Sequence, residues 1–223
     1  VGFVLGDATI DQIISDEELL VYIHRITNRP TKVIIIKTDL DGNPLEGAQI
    51  EIWNEDEHVV FEGITNENGE IEILELPVGK YSFVELAAPV GYVLNENAYE
   101  FEILENGDIV GDTTIENEPT EVVISKTDLT DGRPVPNAHI EIFNSNDESV
   151  FQGITDENGE ISITHLPVGA YTFVETSAPE GYVLSKEVMM FTIDEYGEVS
   201  GETLMSNSPT VLEIFKVVYE DGK

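Results

Sequence analysis

Three polar residue types fall on apolar strand faces, and together they could make an amide bond. Lys37 alternates with Val33 and Ile35, Lys126 with Val122 and Ile124, and Lys216 with Leu212 and Ile214. Side chains on a strand point to alternate faces, so each Lys is directed with its apolar neighbours toward a core. The chain has only seven Lys, and three occupy this position. By the same alternation Glu85 shares a face with Tyr81 and Phe83, and Glu175 with Tyr171 and Phe173. Asn117 follows Ile115, Asn207 follows Met205 and Asn28 follows Ile26. Unpaired buried charge is costly, so the Lys, Glu and Asn of one core are expected to meet. Two outcomes are open. One is a structural ion pair with an Asn hydrogen bond. The other is chemical: a desolvated Lys becomes a neutral nucleophile, and a desolvated Glu keeps a proton at neutral pH. Such a Glu could bond the Asn carboxamide, polarise its carbonyl and move protons. Attack of the amine would then expel ammonia, with folding supplying the proximity.

The elements that must position these groups come in repeats. The run Ile-Thr-Asn-Glu-Asn-Gly-Glu at 64–70 returns as Ile-Thr-Asp-Glu-Asn-Gly-Glu at 154–160. Leu-Pro-Val-Gly-Lys-Tyr at 76–81 returns as Leu-Pro-Val-Gly-Ala-Tyr at 166–171, and Ala-Pro-Val-Gly-Tyr-Val-Leu at 88–94 as Ala-Pro-Glu-Gly-Tyr-Val-Leu at 178–184. These offsets are all 90, whereas Lys-Thr-Asp-Leu at 37–40 returns at 126–129, so Thr130 or a neighbour is an insertion. Residues 1–30 match the closing third of a repeat, and 210–223 match a first strand. Two full repeats, 31–119 and 120–209, lie between them. Strand-like runs rich in Val, Ile, Tyr and Phe predict an all-β fold of tandem sandwiches. Residues 10–22 carry the best helical spacing, but they match strand positions elsewhere and are read as strand and loop. Asn68-Gly69 and Asn158-Gly159 are read as hairpin turns.

Several motifs together resemble the Cna B-type domains of Gram-positive adhesins and pilins. They are Lys-Thr-Asp at 37–39 and 126–128, the Leu-Pro-Val-Gly-x-Tyr turn, and the Glu box at 85–92 and 175–182. The closing motif is Asn117-Glu118-Pro119 or Asn207-Ser208-Pro209. The resemblance covers nearly the whole chain. It implies tandem Ig-like (prealbumin-like) β-sandwiches whose first and last strands are bonded, Lys37 to Asn117 and Lys126 to Asn207, assisted by Glu85 and Glu175. Asn28 and Lys216 belong to partial repeats without a Glu strand and are expected to stay unpaired. It also implies an extracellular, cell-wall-linked stalk whose partners are neighbouring repeats, with any host ligand held by other domains. Leu86 in place of Thr176, and Ser208 in place of Glu118, are departures that do not touch the reacting groups. Leu-Pro-x-Thr-Gly and Tyr-Pro-Lys, the family's anchoring and polymerising motifs, do not occur in this sequence.

Composition narrows the rest. Ten Lys and Arg face 45 Asp and Glu, a net charge of −35, which disfavours nucleic acid and anionic lipid. At 41% hydrophobic the chain can build cores, and without Cys it has no disulfide. No apolar run is long enough for a membrane helix. Asp39-Leu40-Asp41-Gly42 and its copy resemble a calcium loop faintly but lack its spacing, so a polar turn is expected. His24, His58, His139 and His165 are scattered without metal-ligand spacing, and no nucleophile or phosphate motif marks an enzyme or a cofactor site. Trp53 and Phe143 are expected to pack rather than form a ligand platform. The rival reading is an adhesive module whose loops bind a host protein or glycan.

Overall fold

The computed structural model describes residues 2–16, 19–211 and 214–216. The chain divides into two compact units, 1–120 and 121–223. The first begins with an antiparallel pair, β1 (Phe3–Asp16) and β2 (Leu19–Pro30). It continues with β3 (Lys32–Asp39), β4 (Gln49–Asn54), β5 (Val59–Ile64), β6 (Glu70–Leu74), β7 (Gly79–Ala87), β8 (Tyr99–Ile103), β9 (Ile109–Gly111) and β10 (Thr114–Asn117). A three-stranded sheet, β10-β3-β6, and a five-stranded sheet, β5-β4-β7-β8-β9, make a sandwich. The second unit repeats this with β11 (Glu121–Asp128), β12 (His139–Asn144), β13 (Ser149–Ile154), β14 (Glu160–Thr164), β15 (Gly169–Ser177), β16 (Met189–Ile193), β17 (Val199–Gly201) and β18 (Leu204–Asn207). Its sheets are β14-β11-β18 and β13-β12-β15-β16-β17. No helix occurs among the described residues, and the all-β sandwich expectation holds.

Alternation sets each core. In the first unit Val33, Ile35, Ile71, Ile73 and Ile115 of the small sheet face Ile50, Ile52, Phe83, Phe101 and Ile103 of the large one. Burying each such side chain contributes about 1.5–3 kcal/mol. Tyr81 stacks on Phe101 at 5.2 Å between ring centroids, and its hydroxyl donates to Pro77 O at 2.7 Å. Tyr171 does the same with Phe191 and Pro167. This bond explains why the Leu-Pro-Val-Gly-x-Tyr motif spaces Pro and Tyr as it does.

The first and last strands of each sandwich pair in parallel, Lys37 opposite Ile115 and Asp39 opposite Asn117, then Lys126 opposite Met205 and Asp128 opposite Asn207. The inserted residue falls in the turn after β11. Asp39 N donates to Asn43 O, whereas Asp128 N donates to Arg133 O, one residue later.

Three expectations need correction. Asn68-Gly69 does not close a hairpin, because β5 pairs with β4 and β6 with β3, in different sheets. The chain crosses between sheets at the buried Thr65, whose hydroxyl accepts Ala48 N–H at 3.0 Å and donates to Leu45 O at 2.7 Å. Gly69 then passes so close to β3 that a Cβ would lie 2.3 Å from Lys37 O, and its φ is +70°. Thr155 and Gly159 repeat the device. Second, the face expected to unite Ile214 with Lys216 is not formed. Residues 214–216 lie outside any strand and are exposed, and Leu212 lies outside the described residues. β3 and β11 each sit between two strands, and no described residue supplies such neighbours to 214–216. Third, Trp53 lies on the outer face of β4, because Ile50 and Ile52 take the inner one. Its indole N–H donates to Glu51 at 2.7 Å.

Candidate functional site

Lys37 and Lys126 are the inward continuation of the apolar faces of β3 and β11, and both are 0% exposed. Glu85 on β7 and Glu175 on β15 reach across from the opposite sheet and are buried. Asn117 and Asn207 end the last strands, each 1% exposed. In the first unit Lys37 Nζ lies 3.9 Å from Glu85 Oε1, and Asn117 Nδ2 donates to Glu85 Oε2 at 2.8 Å. In the second, Lys126 Nζ lies 3.4 Å from Glu175 Oε1, and Asn207 Nδ2 donates to both Glu175 oxygens, at 3.0 and 2.8 Å. Both expected trios therefore meet inside their own sandwich. Asn28 is exposed on β2 and Lys216 is exposed beyond β18.

Burial lowers the Lys37 amine to about 8, although Glu85 pulls the other way. Burial lowers Lys126 as well, against Glu175. Burial raises the Glu85 carboxyl above its usual range, opposed by the Asn95 N–H, by Asn117 and by Lys37. A partly neutral amine therefore faces an acid that holds its proton more tightly. Buried polar atoms are normally paired, yet Asn117 Oδ1, Asn207 Oδ1, Glu85 Oε1 and Lys126 Nζ have no hydrogen-bond partner among the described residues. Besides its ion pair with Glu85, Lys37 Nζ donates to two carbonyls, Ile115 O at 3.2 Å and Thr38 O at 3.3 Å. The carboxyl meets the nitrogen of each Asn amide rather than its oxygen. It can therefore protonate a departing nitrogen directly, whereas polarising the carbonyl would need the amide turned over.

Sequence reasoning missed the donors that hold each Glu. Asn95 N–H donates to Glu85 Oε2 at 2.9 Å and Ser185 N–H to Glu175 Oε2 at 2.7 Å. Val183 O also accepts from Asn207 Nδ2 at 2.9 Å. Backbone groups leave no mark in residue type, so only their constant place after the Glu box could have pointed to them.

The other candidates have plain uses. The Asp39 carboxylate accepts Asp41 N–H and Asn43 N–H, closing its own turn. His58, His139 and His165 stand apart, His24 has no described side chain, and no acidic or His cluster among the described residues could hold a metal ion. Leu86 and Thr176 face outward, away from the trios.

Two prealbumin-like sandwiches, each with one buried Lys, Glu and Asn, define the class of protein. The family model for the SpaA prealbumin-like fold domain matches residues 31–119 and 120–206, and the chain belongs to that family. No curated protein sequence matches it. Among solved structures it is similar to the Bacillus anthracis TIE protein, at 29% identity over 85% of this chain and a TM-score of 0.49. The chain spans 38% of that protein's length. It is also similar to a streptococcal ancillary pilin, at 19% identity, TM-score 0.36, covering 88% of this chain and 73% of that one. A third is the shaft pilin SpaA from Lactobacillus rhamnosus GG, at 14% identity and TM-score 0.39, covering 83% of this chain and all of that one. Among the described residues no helix is long and apolar enough to cross a membrane.

Proposed function

We propose that each sandwich cross-links itself, Lys37 to Asn117 and Lys126 to Asn207, and that the chain is a load-bearing stalk segment on a Gram-positive cell surface. The observation that carries the reading is the buried amine, acid and amide gathered twice, with both Asn side-chain carbonyl oxygens unpartnered among the described residues. The neutral amine attacks Asn Cγ, the Nζ–Cγ bond forms and the Cγ–Nδ2 bond breaks. Glu85 or Glu175 takes the proton shed by the amine and passes one to the leaving nitrogen, so ammonia departs and no redox partner is needed. Each module acts on itself once and turns over no substrate.

The stalk role rests on the structural character of the family and on the position of the bonds between first and last strands. Residues 1–30 fit the closing third of another repeat. Thr31 N–H donates to Gly2 O at 2.8 Å, as Thr120 does to Gly91 at 3.0 Å and Thr210 to Gly181 at 2.8 Å. Phe3 pairs with Pro30 as Tyr92 does with Pro119 and Tyr182 with Pro209.

Intact-mass spectrometry tests the chemistry. The expected mass is that of the sequence less two ammonia molecules, not three, since Asn28 and Lys216 lack a Glu. Peptide mapping should join Lys37 to Asn117 and Lys126 to Asn207. An unaltered mass would refute the proposal.

A further inference from the structure

Resting on the cross-linking reading, we propose that Asp128 is a positioning residue for the Lys126–Asn207 reaction, acting through Tyr182 on residues 182–185. Asp128 continues the inward face of β11 past Lys126 and is 1% exposed. A carboxylate out of water must be satisfied by donors. Three of its donors come from its own turn: Thr130 N–H at 2.7 Å, Thr130 Oγ1 at 2.5 Å and Arg133 Nη2 at 3.1 Å. The fourth is the Tyr182 hydroxyl at 3.0 Å, from the end of the Glu box.

Tyr182 begins the segment that completes the site. Val183 N–H donates to Ser208 O at 2.9 Å, tying the segment to the residue after Asn207. Val183 O accepts from Asn207 Nδ2, and Ser185 N–H donates to Glu175. Residues 182–185 thus supply one acceptor to the leaving nitrogen and one donor to the acid. Asp128 holds the other side too, being paired in register with Asn207, and Leu129 N–H donates to Asn207 O at 2.9 Å. One buried carboxylate thereby ties the strand of the nucleophile, whose backbone pairs with the strand of the amide, to the segment that aims the acid. In the first unit Asp39 is only half-buried, and its oxygens accept Asp41 N–H, Asn43 N–H and Asn43 Nδ2 from its own turn.

The test is a time course of bond formation in the full chain. Wild type, Asp128→Asn, Tyr182→Phe and Thr155→Val are made by cell-free synthesis, quenched at intervals and mapped by mass spectrometry. Tyr182→Phe keeps the ring and removes only the hydroxyl, so it serves if Asp128→Asn does not fold. Thr155→Val removes the bonds to Ala138 N–H and Val135 O, neither of them to a trio side chain or to residues 182–185, and controls for lost stability. Both clamp variants are expected to slow the Lys126–Asn207 bond by about tenfold to a hundredfold, the cost of a small misplacement of reacting groups. The Lys37–Asn117 bond in the same molecules should keep its rate. A wild-type rate in Tyr182→Phe, or slowing no greater than in Thr155→Val, would overturn the clamp. A wild type that forms neither bond would instead overturn the cross-linking reading, and the clamp with it.

Discussion

At the residue scale the decisive feature is that Lys37, among the largest fully buried side chains of the first unit, is a cation by default. Its amine is lowered from the usual 10.5 to about 8 by burial. Over that interval the unfolded chain carries a proton that the folded amine has shed, so stability must rise with pH. Glu85 works in the opposite sense at lower pH: its carboxyl is raised, so above the ordinary carboxylate range the fold keeps a proton that the unfolded chain has lost, and stability falls. Asn117→Ala keeps Lys37 unlinked and exposes this behaviour. Trp53, the sole Trp, reports unfolding of the first unit. Urea titrations of the variant should show stability increasing from pH about 8 to just below the tyrosine range of about 10. Adding Lys37→Met should abolish the slope; a slope that persists would assign it to another group. The trios were legible in the sequence because strand alternation exposes a polar residue on an apolar face. Asp128 was only half legible: the alternation reaches it, but the Lys-Thr-Asp motif reads as a polar turn and cannot announce a partner at Tyr182.

At the scale of elements the fold depends on a crossing between sheets that a short-range reading mistakes for a hairpin. Asn68-Gly69 carries hairpin chemistry, and the turn closes locally, with Gly69 N–H donating to Asn66 O at 2.8 Å. Which strands flank it is decided by long-range pairing, β5 to β4 and β6 to β3, and no local motif encodes that. The residue that makes the crossing is Thr65, which satisfies two buried backbone groups at once. Thr65→Val preserves shape and strips both bonds, leaving Ala48 N–H and Leu45 O unpaired. The expected loss is about 2 kcal/mol, the cost of buried unsatisfied groups, read from the Trp53 unfolding midpoint. A change under about 0.5 kcal/mol would mean that water or a relaxed backbone replaces the hydroxyl.

At the scale of the whole molecule each proposed Lys–Asn bond would close a loop of most of a repeat. By analogy with a disulfide of similar span, the stabilisation is about 4–5 kcal/mol, and reductants leave it intact. Pulling the chain by its ends in single-molecule force spectroscopy should not extend residues 38–116. Lys37→Ala should release roughly 270 Å of additional contour length when the first sandwich opens, at about 3.4 Å per residue. The same extension in wild type would show that the bond carries no load. The parallel pairing of β3 with β10 and of β11 with β18 has a further mechanical result. Tension enters a sandwich at the start of its first strand and leaves from the end of its last. Because these neighbours run the same way, the two are dragged past each other lengthwise. Their hydrogen bonds are loaded together in shear, not peeled one at a time as at the mouth of a zipper. A sandwich without the proposed cross-link is therefore already built to resist a tug, and would do so before any such chemistry finished.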